Sequence, residues 1–463
     1  MASVLIVGGG LSGLVCGLRL LRAGHDVELL EAEPAVGGRL RPIETESGLL
    51  ERGIGEVGWG DANLRALVSG LDLESTYEGQ LVRSHALVLG GRLHRPPPLR
   101  MPEVFWPGLA PRMDRPIDKL FRRPPRWSER RQLIRAIYAS LHQADTRTPD
   151  SVRALDDIPW SRLSIRAFGT RWWTTRMAPL LLARTGVDLG AESSAIVVPI
   201  LSRLLTGAGR SVPIKGGWPG LIDTLAAPLR IRLGCRAEEL ETTDEGVRVR
   251  YRAGGRVGTA LADAAVLATS PTGILKLAPK LTPGERGHFE SMTPRRSIVL
   301  YRQVSEEAWL LRGLSGVTFV PGELPQMRDL RVLGPAPASY AREPFWVRVS
   351  LEPEVVDEHW TESDQALILK LDSTFKGSPL GALPAGPSRV ERFDEIISVQ
   401  GRGAIAKRTR FLERQEVSPR LAFATEALTT PDLEGRVTAG MRAARDVIEG
   451  LERGGQFVTR QAS

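Results

Sequence analysis

The sequence is poor in cysteine and histidine and has no long apolar run. Its two cysteines, Cys16 and Cys235, are far apart, so we expect neither a disulfide framework nor a paired-cysteine metal site. The six histidines show no zinc-binding spacing, and no metal centre is predicted. No apolar stretch reaches the roughly 18 residues of a membrane-spanning helix. These absences together predict a protein of a reducing, cytoplasmic compartment.

Two catalytic motifs are also missing. The sequence has no Gly-x-Ser-x-Gly turn, which argues against a hydrolase built on that motif. The Gly-x-Gly-x-x-Gly spacing of Gly8–Gly13 recurs once, at residues 53–58, but no second such motif marks a separate pyridine-nucleotide domain, and none is expected. What remains, 463 residues with 42% hydrophobic and 25% charged side chains, is typical of a globular chain of two or three domains.

The net charge of +8 is concentrated in one stretch. Residues 92–135 contain twelve lysines or arginines and four acidic residues, together with Phe105, Trp106, Phe121 and Trp127. Three interpretations are open: an arginine-rich surface in water, contact with anionic lipid, or contact with nucleic acid. We favour the first and keep peripheral contact with the inner face of a membrane as the alternative. Nucleic acid binding is not expected.

The first 32 residues predict a strand, a glycine loop, a helix and a second strand. Val4–Val7 is a short apolar run, as expected of a strand buried on both faces of a parallel sheet. Apolar residues recur at helical spacing over Leu11–Ala23, and Asp26–Leu30 predicts the next strand. This order predicts an α/β fold with a Rossmann-like unit at its N-terminus.

The glycine loop, with the acid after the second strand, predicts a dinucleotide site. Gly8 permits a tight turn, Gly10 lets the backbone approach a pyrophosphate, and Gly13 lets helix and strand pack closely. The helix N-terminus offers unpaired N–H groups to the phosphates. Glu31 lies where a carboxylate accepts hydrogen bonds from a ribose. The predicted cofactor contacts in this part are Gly8, Gly10, Leu11, Ser12, Gly13, Glu31 and Ala32.

A second glycine element, Gly37-Gly38-Arg39, follows six residues after Glu31. With this element, the sequence resembles the large family of FAD-dependent amine oxidases, protoporphyrinogen oxidases and carotenoid desaturases. The resemblance implies FAD as the cofactor, with Gly37, Gly38 and Arg39 lying against the flavin and its pyrophosphate. Glycine suits that place because a backbone pressed against a ring and phosphates has no room for side chains.

The resemblance extends to the C-terminal stretch Leu421–Ile448. It implies that Glu426 contacts the ribityl–phosphate chain and that the last helix directs its N-terminus at the flavin pyrimidine carbonyl, with Glu434, Gly435 and Val437 at its start. It also implies that the backbone near Ala237 lies by the adenine. One departure is visible, because Ala424 and Thr425 stand where relatives have a glycine before the acid.

The order of these motifs implies a discontinuous FAD-binding domain of the glutathione-reductase type, with an inserted α+β substrate-binding domain. The first comprises residues 1–80, 211–280 and 398–455, and the second comprises residues 81–210 and 281–397, of which 128–206 are mainly helical. Within the insertions, His85–Pro97 predicts a hairpin with a Gly-Gly turn, and Gly322–Pro337 and Lys376–Pro387 predict surface loops. The tryptophans Trp172, Trp173 and Trp218 are interpreted as core residues, with a pocket lining as the alternative.

The flavin performs the redox chemistry, so few catalytic side chains are expected. One candidate is Lys276, at the spacing after Pro271-Thr272 where amine oxidases hold a water against the flavin. An ordinary surface lysine is the competing interpretation.

The loop around Thr429–Asp432 lacks the aromatic pair that guides amines. We therefore favour an enzyme that oxidises or desaturates a bulky, largely apolar small molecule by hydride transfer to FAD. A flavin amine oxidase that uses Lys276 and O2 is the alternative, and a non-redox flavin isomerase or an FAD-bearing binding protein is a further one.

Overall fold

A computed structural model gives the fold. It describes residues 1–46, 48–50, 52, 57–75, 84–95, 127–141, 148–186, 188–206, 212–243, 245–278, 280–305, 311, 314–324, 326–333, 344–415 and 420–461. The central part of the basic stretch, residues 96–126, lies outside these ranges.

Seventeen strands lie within the described ranges. They are β1 (Ser3–Val7), β2 (Asp26–Leu30), β3 (Ile43–Thr45), β4 (Gly48–Leu50), β5 (Ser84–Leu89), β6 (Arg92–His94), β7 (Arg230–Arg232), β8 (Cys235–Thr242), β9 (Val247–Ala253), β10 (Arg256–Ala262), β11 (Ala264–Leu267), β12 (Thr293–Val304), β13 (Leu314–Phe319), β14 (Met327–Leu333), β15 (Phe345–Leu351), β16 (Ser388–Val399) and β17 (Leu421–Phe423).

The helices of the described ranges are α1 (Leu11–Arg22), α2 (Ala62–Gly70), α3 (Trp127–Leu141), α4 (Asp150–Arg153), α5 (Trp160–Phe168), α6 (Thr170–Trp172), α7 (Ala178–Thr185), α8 (Ser194–Thr206), α9 (Gly217–Ala226), α10 (Pro271–Leu277), α11 (Pro283–Glu290), α12 (Asp364–Lys376), α13 (Ala404–Gln415) and α14 (Leu433–Gln461). A π-helical turn, Trp173–Met177, joins α6 to α7. Among the helices that the structure describes, none is both long enough and apolar enough to cross a bilayer.

A five-stranded parallel sheet contains the strand, glycine loop, helix and second strand predicted at the N-terminus. Its strand order is β17-β11-β1-β2-β7, and β1 pairs with β2 in the register Val4↔Val27 and with β11 in the register Val4↔Ala264. Residues of β1 and β11 are buried on both faces, as their continuous apolar runs require. The α/β fold class predicted from the sequence is therefore confirmed.

Each face of this sheet is covered by a separate layer. On one face, Val4 and Ile6 pack with α1, α9 and the first part of α14 in a single hydrophobic core. On the other face, Leu5 and Val7 pack with the antiparallel sheet β10-β9-β8 and with α10, α11 and α13. This layering leaves the carboxyl ends of the parallel strands free to form a site.

A seven-stranded sheet with the order β16-β12-β15-β14-β13-β5-β6 forms the other large layer. Its outer hairpin β5–β6 turns at Gly90 and Gly91, both with positive φ, which confirms the hairpin predicted at this place. One face of the sheet packs against α12 through an apolar core that includes Leu330, Val347 and Val349. The opposite face carries buried polar side chains, among them Asp329, Arg331 and Arg348.

The helices between residues 127 and 206 build a core of their own. It contains Trp160 and Trp172, with Trp173 packed at its margin, and it reaches Ile396 and Ile397 at the end of β16. Trp218 lies in the core beneath α9. Trp172, Trp173 and Trp218 therefore pack in or against hydrophobic cores, as the interpretation of these tryptophans as core residues predicted.

One prediction about a loop was wrong. The stretch Gly322–Pro337 was expected at the surface, but Met327–Leu333 forms β14 in the interior of the seven-stranded sheet. Asp329 and Leu330 are almost fully buried there. The prediction failed because Arg328, Asp329 and Arg331 interrupt the apolar pattern that identifies a strand, and their burial depends on partners elsewhere in the chain.

Candidate functional site

The carboxyl ends of four parallel strands meet at one edge of the five-stranded sheet. The residues that follow these strands are the glycine loop after β1, Glu31 after β2, Ala268 to Ser270 after β11, and Ala424 to Glu426 after β17. The chain passes from β1 to β2 on one side, whereas β11 lies on the other side of β1. Ligands of open α/β sheets bind at such a crossover, so this edge is the candidate site.

The glycine loop has no room for side chains at two positions. Gly8 has φ +111°, and a Cβ there would lie 2.6 Å from the carbonyl oxygen of Ala268. A Cβ on Gly13 would overlap the carbonyl oxygen of Gly8. Both glycines therefore serve the close packing of α1 on β1 and β11.

Gly10 differs from these two, because a Cβ built on it would meet nothing within 4 Å. It precedes α1, where no side chain caps the free N–H groups of Leu11 and Ser12, and no acid lies in the first turn. Gly10 also forms a bridge with Gly37, and Gly38 lies against the Cα of Gly10. The two glycine elements thus form one cradle at an uncapped helix N-terminus, and this cradle fits the pyrophosphate of FAD.

Glu31 is buried and holds the neighbouring loop in place. Its Oε2 accepts a hydrogen bond from the Gly9 N–H at 2.6 Å, and its Oε1 accepts one from the Glu33 N–H at 2.9 Å. Each carboxylate oxygen keeps a second lone pair for a ribose hydroxyl. The following residue, Ala32, begins the loop to Gly37, while Ala237 lies on β8, whose first N–H bonds the carbonyl of Glu31. The predicted ribose and adenine contacts are therefore neighbours.

Arg39 and Glu426, predicted from opposite ends of the sequence, form a direct pair. Two nitrogens of Arg39 donate to the two carboxylate oxygens of Glu426, each at 2.8 Å, and Arg39 also donates to the carbonyl of Ile396. Arg436 adds a second guanidinium, 2.6 Å from Glu426. Burial alone raises the pKa of the Glu426 carboxyl, but Arg39 and Arg436 outweigh it and lower this pKa to about 2. The site thus holds an ionised carboxylate between two cations.

The start of α14 is capped by an acid that the sequence analysis missed. Asp432 accepts a hydrogen bond from the Gly435 N–H at 3.0 Å and pairs with Arg203 on α8. An aspartate directly before a helix is a recognisable cap signal, and Pro431-Asp432 carries it. Arg203 has no such local signal, because its second partner, Asp61, lies 142 positions away.

The side chains of Glu434 and Val437 make contacts within the protein. Both oxygens of Glu434 accept backbone N–H bonds at the start of α2, from Asn63 at 3.0 Å and from Leu64 at 2.8 Å. Val437 is fully buried in the core beneath α14. A Cβ on Gly435 would overlap the carbonyl of Thr430. These residues can therefore contact a cofactor only through their backbone groups.

Lys276 lies in the last turn of α10, and its side chain is exposed. Helix α10 begins at the candidate edge, where Ser270 caps it, and six residues of helix carry Lys276 about 9 Å along the axis. Its neighbours Ile274 and Leu277 are buried against the antiparallel sheet. A catalytic role for Lys276 stays a prediction.

Two further observations concern other chemistries. Within the part of the chain that the structure describes, no three histidine, cysteine or acidic side chains come together as a metal-binding group. Cys16 and Cys235 are both buried and unpaired with each other. Burial raises the pKa of the Cys16 thiol, so this sulfur is held in its unreactive neutral form.

Comparison with solved structures finds the same fold along nearly the whole chain. A protein from Exiguobacterium sp. 255-15, provisionally assigned as a protoporphyrinogen oxidase, is similar with a TM-score of 0.69 and 16% identity, over 97% of this chain and 99% of that chain. Cyclohexylamine oxidase from Brevibacterium oxydans IH-35A is similar with a TM-score of 0.68 and 19% identity, over the same shares of both chains. At these identities the likeness shows the fold.

A curated relative matches over a short segment. Hydroxyneurosporene desaturase of Cereibacter sphaeroides is 46% identical over 50 residues, which is 11% of this chain. The match spans only 10% of that relative's length, so it says nothing of the remaining nine-tenths.

The family model of flavin-containing amine oxidoreductases matches residues 11–448. This range begins at the N-terminus of α1, directly after Gly10, and runs into α14, and thus includes Arg39 and Glu426. The chain therefore belongs to the flavin-containing amine oxidoreductase family, and it is a flavin-dependent oxidoreductase with FAD as its cofactor.

Proposed function

We propose that the enzyme oxidises or desaturates a bulky, largely apolar small molecule. FAD, when bound, accepts the hydride, and the chain's own residues hold and orient the reactants. The observation that supports this proposal is an apolar cluster of Ile43, Leu50, Val299, Tyr301 and Leu333. The cluster joins the segment after the Gly37–Arg39 loop to the polar face of the seven-stranded sheet. We infer that these side chains form an apolar wall beside the cofactor cradle.

The proposal also assigns the parts of the chain. Residues 1–80, 211–280 and 398–455 bind FAD, and residues 81–210 and 281–397 bind the substrate. Contacts between the two sets support the assignment, since Arg39 donates to the carbonyl of Ile396 and the backbone N–H of Gln400 donates to Glu192 at 2.8 Å. The substrate would then lie between the FAD-binding residues and the substrate-binding residues.

Amine oxidation is the second candidate. It is favoured by the fold shared with cyclohexylamine oxidase and with putrescine oxidase, the latter at a TM-score of 0.66 and 15% identity. Against it stands the segment from Ala424 to Gly435, which contains no aromatic residue to guide an amine. The exposed position of Lys276 also gives the amine mechanism no direct support.

The test is anaerobic mixing of the FAD-loaded protein with polyenes, porphyrinogens and alkylamines, followed by visible absorption. We expect the flavin bands to bleach with one of the first two classes. Bleaching with alkylamines alone would establish the amine oxidase instead. Bands that bleach with no donor would favour the isomerase or the binding protein. The Gly10→Ala variant, prepared without FAD, is the control. It shows whether any of these compounds is converted to product without the cofactor.

We further propose that the basic stretch, residues 92–135, contacts anionic lipid at the inner face of a membrane. Trp127, at the start of α3, is 64% exposed, and Arg131 and Arg135 lie one turn apart on the exposed side of that helix. An open groove of about 510 Å³ beside them is lined by Ser128, Arg131, Gln132, Arg135, Ser151 and Ala154.

Co-sedimentation with vesicles tests this contact. We expect binding to phosphatidylcholine–phosphatidylglycerol vesicles, little binding to phosphatidylcholine alone, and loss of binding in an Arg131→Glu, Arg135→Glu double variant. Arg256→Glu, at another exposed arginine, on β10, is the matched control. Equal binding of the double variant and this control would reject the proposal.

A further inference from the structure

The face of the seven-stranded sheet opposite its apolar core carries a buried charged cluster. Arg348 on β15 lies directly across from Arg331 on β14 and from Tyr301 on β12. Asp329 lies two residues before Arg331 and therefore on the same face. All four side chains are almost fully buried, with Arg348 2% exposed and Asp329 1% exposed.

The two arginines of this cluster differ in their partners. Arg331 donates from Nε to Asp329 at 3.2 Å, and from Nη2 to the carbonyl of Leu182 on α7. For Arg348, Nε and Nη1 are buried and have no hydrogen-bond partner among the residues that the structure describes. Among the described residues, three N–H donors of this guanidinium therefore have no acceptor, whereas Arg348 does donate a hydrogen bond to the Tyr301 hydroxyl.

The charges of the cluster do not balance. Burial raises the pKa of the Asp329 carboxyl, but Arg348 and Arg331 outweigh this effect and lower it, so the group is ionised. Burial raises the pKa of Tyr301 to about 12 and lowers that of the nearby His85 to about 4, so both are neutral at pH 7. Two guanidinium groups thus face one carboxylate, and one positive charge is left over. Two buried guanidinium groups that share one carboxylate are costly, and an anion at this place would lower the cost.

Arg348 lies between the segment that contains Arg52 and helix α7, which both contact this face of the sheet. On one side, the Tyr301 hydroxyl donates to the carbonyl of Arg52 at 3.4 Å, and Tyr301 belongs to the apolar cluster beside the cofactor cradle. On the other side, Arg331 is held by α7. The unused donors are therefore at the boundary between the apolar wall and the helical part.

We infer that Arg348 binds a carboxylate of the substrate. The inference rests on the proposed function, because it adds one anionic group to the bulky apolar molecule proposed above. One uncompensated positive charge suits a monoanion, and a guanidinium with free N–H donors suits a carboxylate. Arg348 acts as a specificity-determining residue, and the apolar wall receives the rest of the molecule.

The test compares carboxylates with their neutral amides on the FAD-loaded protein. The ligands are butanoate, 4-phenylbutanoate and decanoate, each paired with its amide and titrated by calorimetry and by the shift in flavin absorption. We expect at least one carboxylate to bind tenfold or more tightly than its amide. In Arg348→Met this preference is lost, while the affinity of the amide is unchanged.

Arg302→Met is the matched control. Arg302 is equally buried in the same sheet but on the opposite face, and its guanidinium is paired with Asp372 and with Ser388. We expect Arg302→Met to lower the Tm of the protein and to keep the carboxylate preference. Arg348→Met is expected to leave the Tm of the ligand-free protein unchanged or raised, because it removes the positive charge that this cluster has in excess.

Three results would overturn the inference: no carboxylate preference in the wild type, a preference that survives in Arg348→Met, or a Tm loss in Arg348→Met as large as in Arg302→Met. These results are separable from the proposed function. A flavin that apolar donors reduce without any carboxylate preference rejects only this inference. A flavin that no donor reduces rejects the proposed function, while calorimetry still measures the preference.

Discussion

At the scale of single residues, Gly10 is the position where a substitution tests the proposed cofactor contact most directly. Its φ is −74°, which alanine adopts readily, and a Cβ would find open space. That space is the cradle proposed for the pyrophosphate, so a methyl group there disturbs the ligand and not the fold.

We therefore expect Gly10→Ala to fold with an unchanged Tm in the absence of FAD and to bind FAD at least tenfold more weakly, a loss of about 1.4 kcal/mol or more. Quenching of flavin fluorescence measures the affinity. Gly287→Ala in α11, where a Cβ also meets nothing within 4 Å, is the control that should leave FAD binding intact. Unchanged FAD affinity in Gly10→Ala would remove the pyrophosphate from this loop.

Glu192 is a buried carboxyl whose charge the fold disfavours. Its Oε2 accepts the Gln400 N–H at 2.8 Å, and its Oε1 has no partner among the described residues. Burial raises its pKa from 4.5 to about 8. The folded state therefore binds more protons than the unfolded state between these values, and stability falls as the pH rises through this window.

For Glu192→Gln we expect this pH dependence to disappear. The variant should gain up to about 4 kcal/mol over the wild type near pH 8 and little near pH 4. Urea unfolding at a series of pH values measures the effect. If both proteins lose stability equally between pH 4.5 and 8, Glu192 is not protonated in the folded state.

At the scale of elements, the start of α14 depends on Asp432. This side chain caps the helix and neutralises Arg203, so it joins α14 to α8. Alanine removes both contacts, whereas asparagine keeps an oxygen for the Gly435 N–H and removes only the charge.

We expect Asp432→Ala to lower the free energy of unfolding by about 3 kcal/mol and Asp432→Asn by roughly half as much. Asp61 continues to face Arg203 in both variants and limits the loss. Chemical denaturation of the two variants beside the wild type gives the comparison. Equal losses would show that the cap contributes nothing beyond the ion pair.

At the scale of the whole molecule, Glu426 joins segments from distant parts of the chain. Its carboxylate binds Arg39, 387 positions away, and Arg436, and its backbone carbonyl accepts from Gln400. Because the folded-state pKa is depressed to about 2 from 4.5, the contribution of this carboxylate is complete above pH 4.5 and is lost as the pH falls towards 2.

The protein should therefore lose up to about 3 kcal/mol of stability between pH 4.5 and 2 through this one group. Glu426→Gln should be less stable than the wild type at pH 7 and should show a weaker dependence on acid. Thermal unfolding across this pH range, with and without FAD, is the measurement. An acid dependence that is the same in both proteins would place the sensitive groups elsewhere.

The sequence by itself determined the nucleotide-binding unit. The strand, glycine loop, helix and second strand follow from contacts between near neighbours, since Gly13 packs against the carbonyl of Gly8 and Glu31 bonds the loop beside it. Local spacing encodes such contacts, and therefore the fold class, the family and FAD could be predicted.

Tertiary structure alone decided the pairing of the charged residues. Arg39 bonds Glu426, and Glu434 bonds the start of α2, although these partners are far apart in the sequence. Asp329 is likewise buried in a strand by partners elsewhere in the chain. From sequence alone, a charged side chain whose partner is unknown is predicted to be exposed to solvent. The partner that allows its burial is identified only in the folded structure. For this reason the N–H donors of Arg348 that lack acceptors among the described residues, and the carboxylate proposed for them, could be found only in the structure.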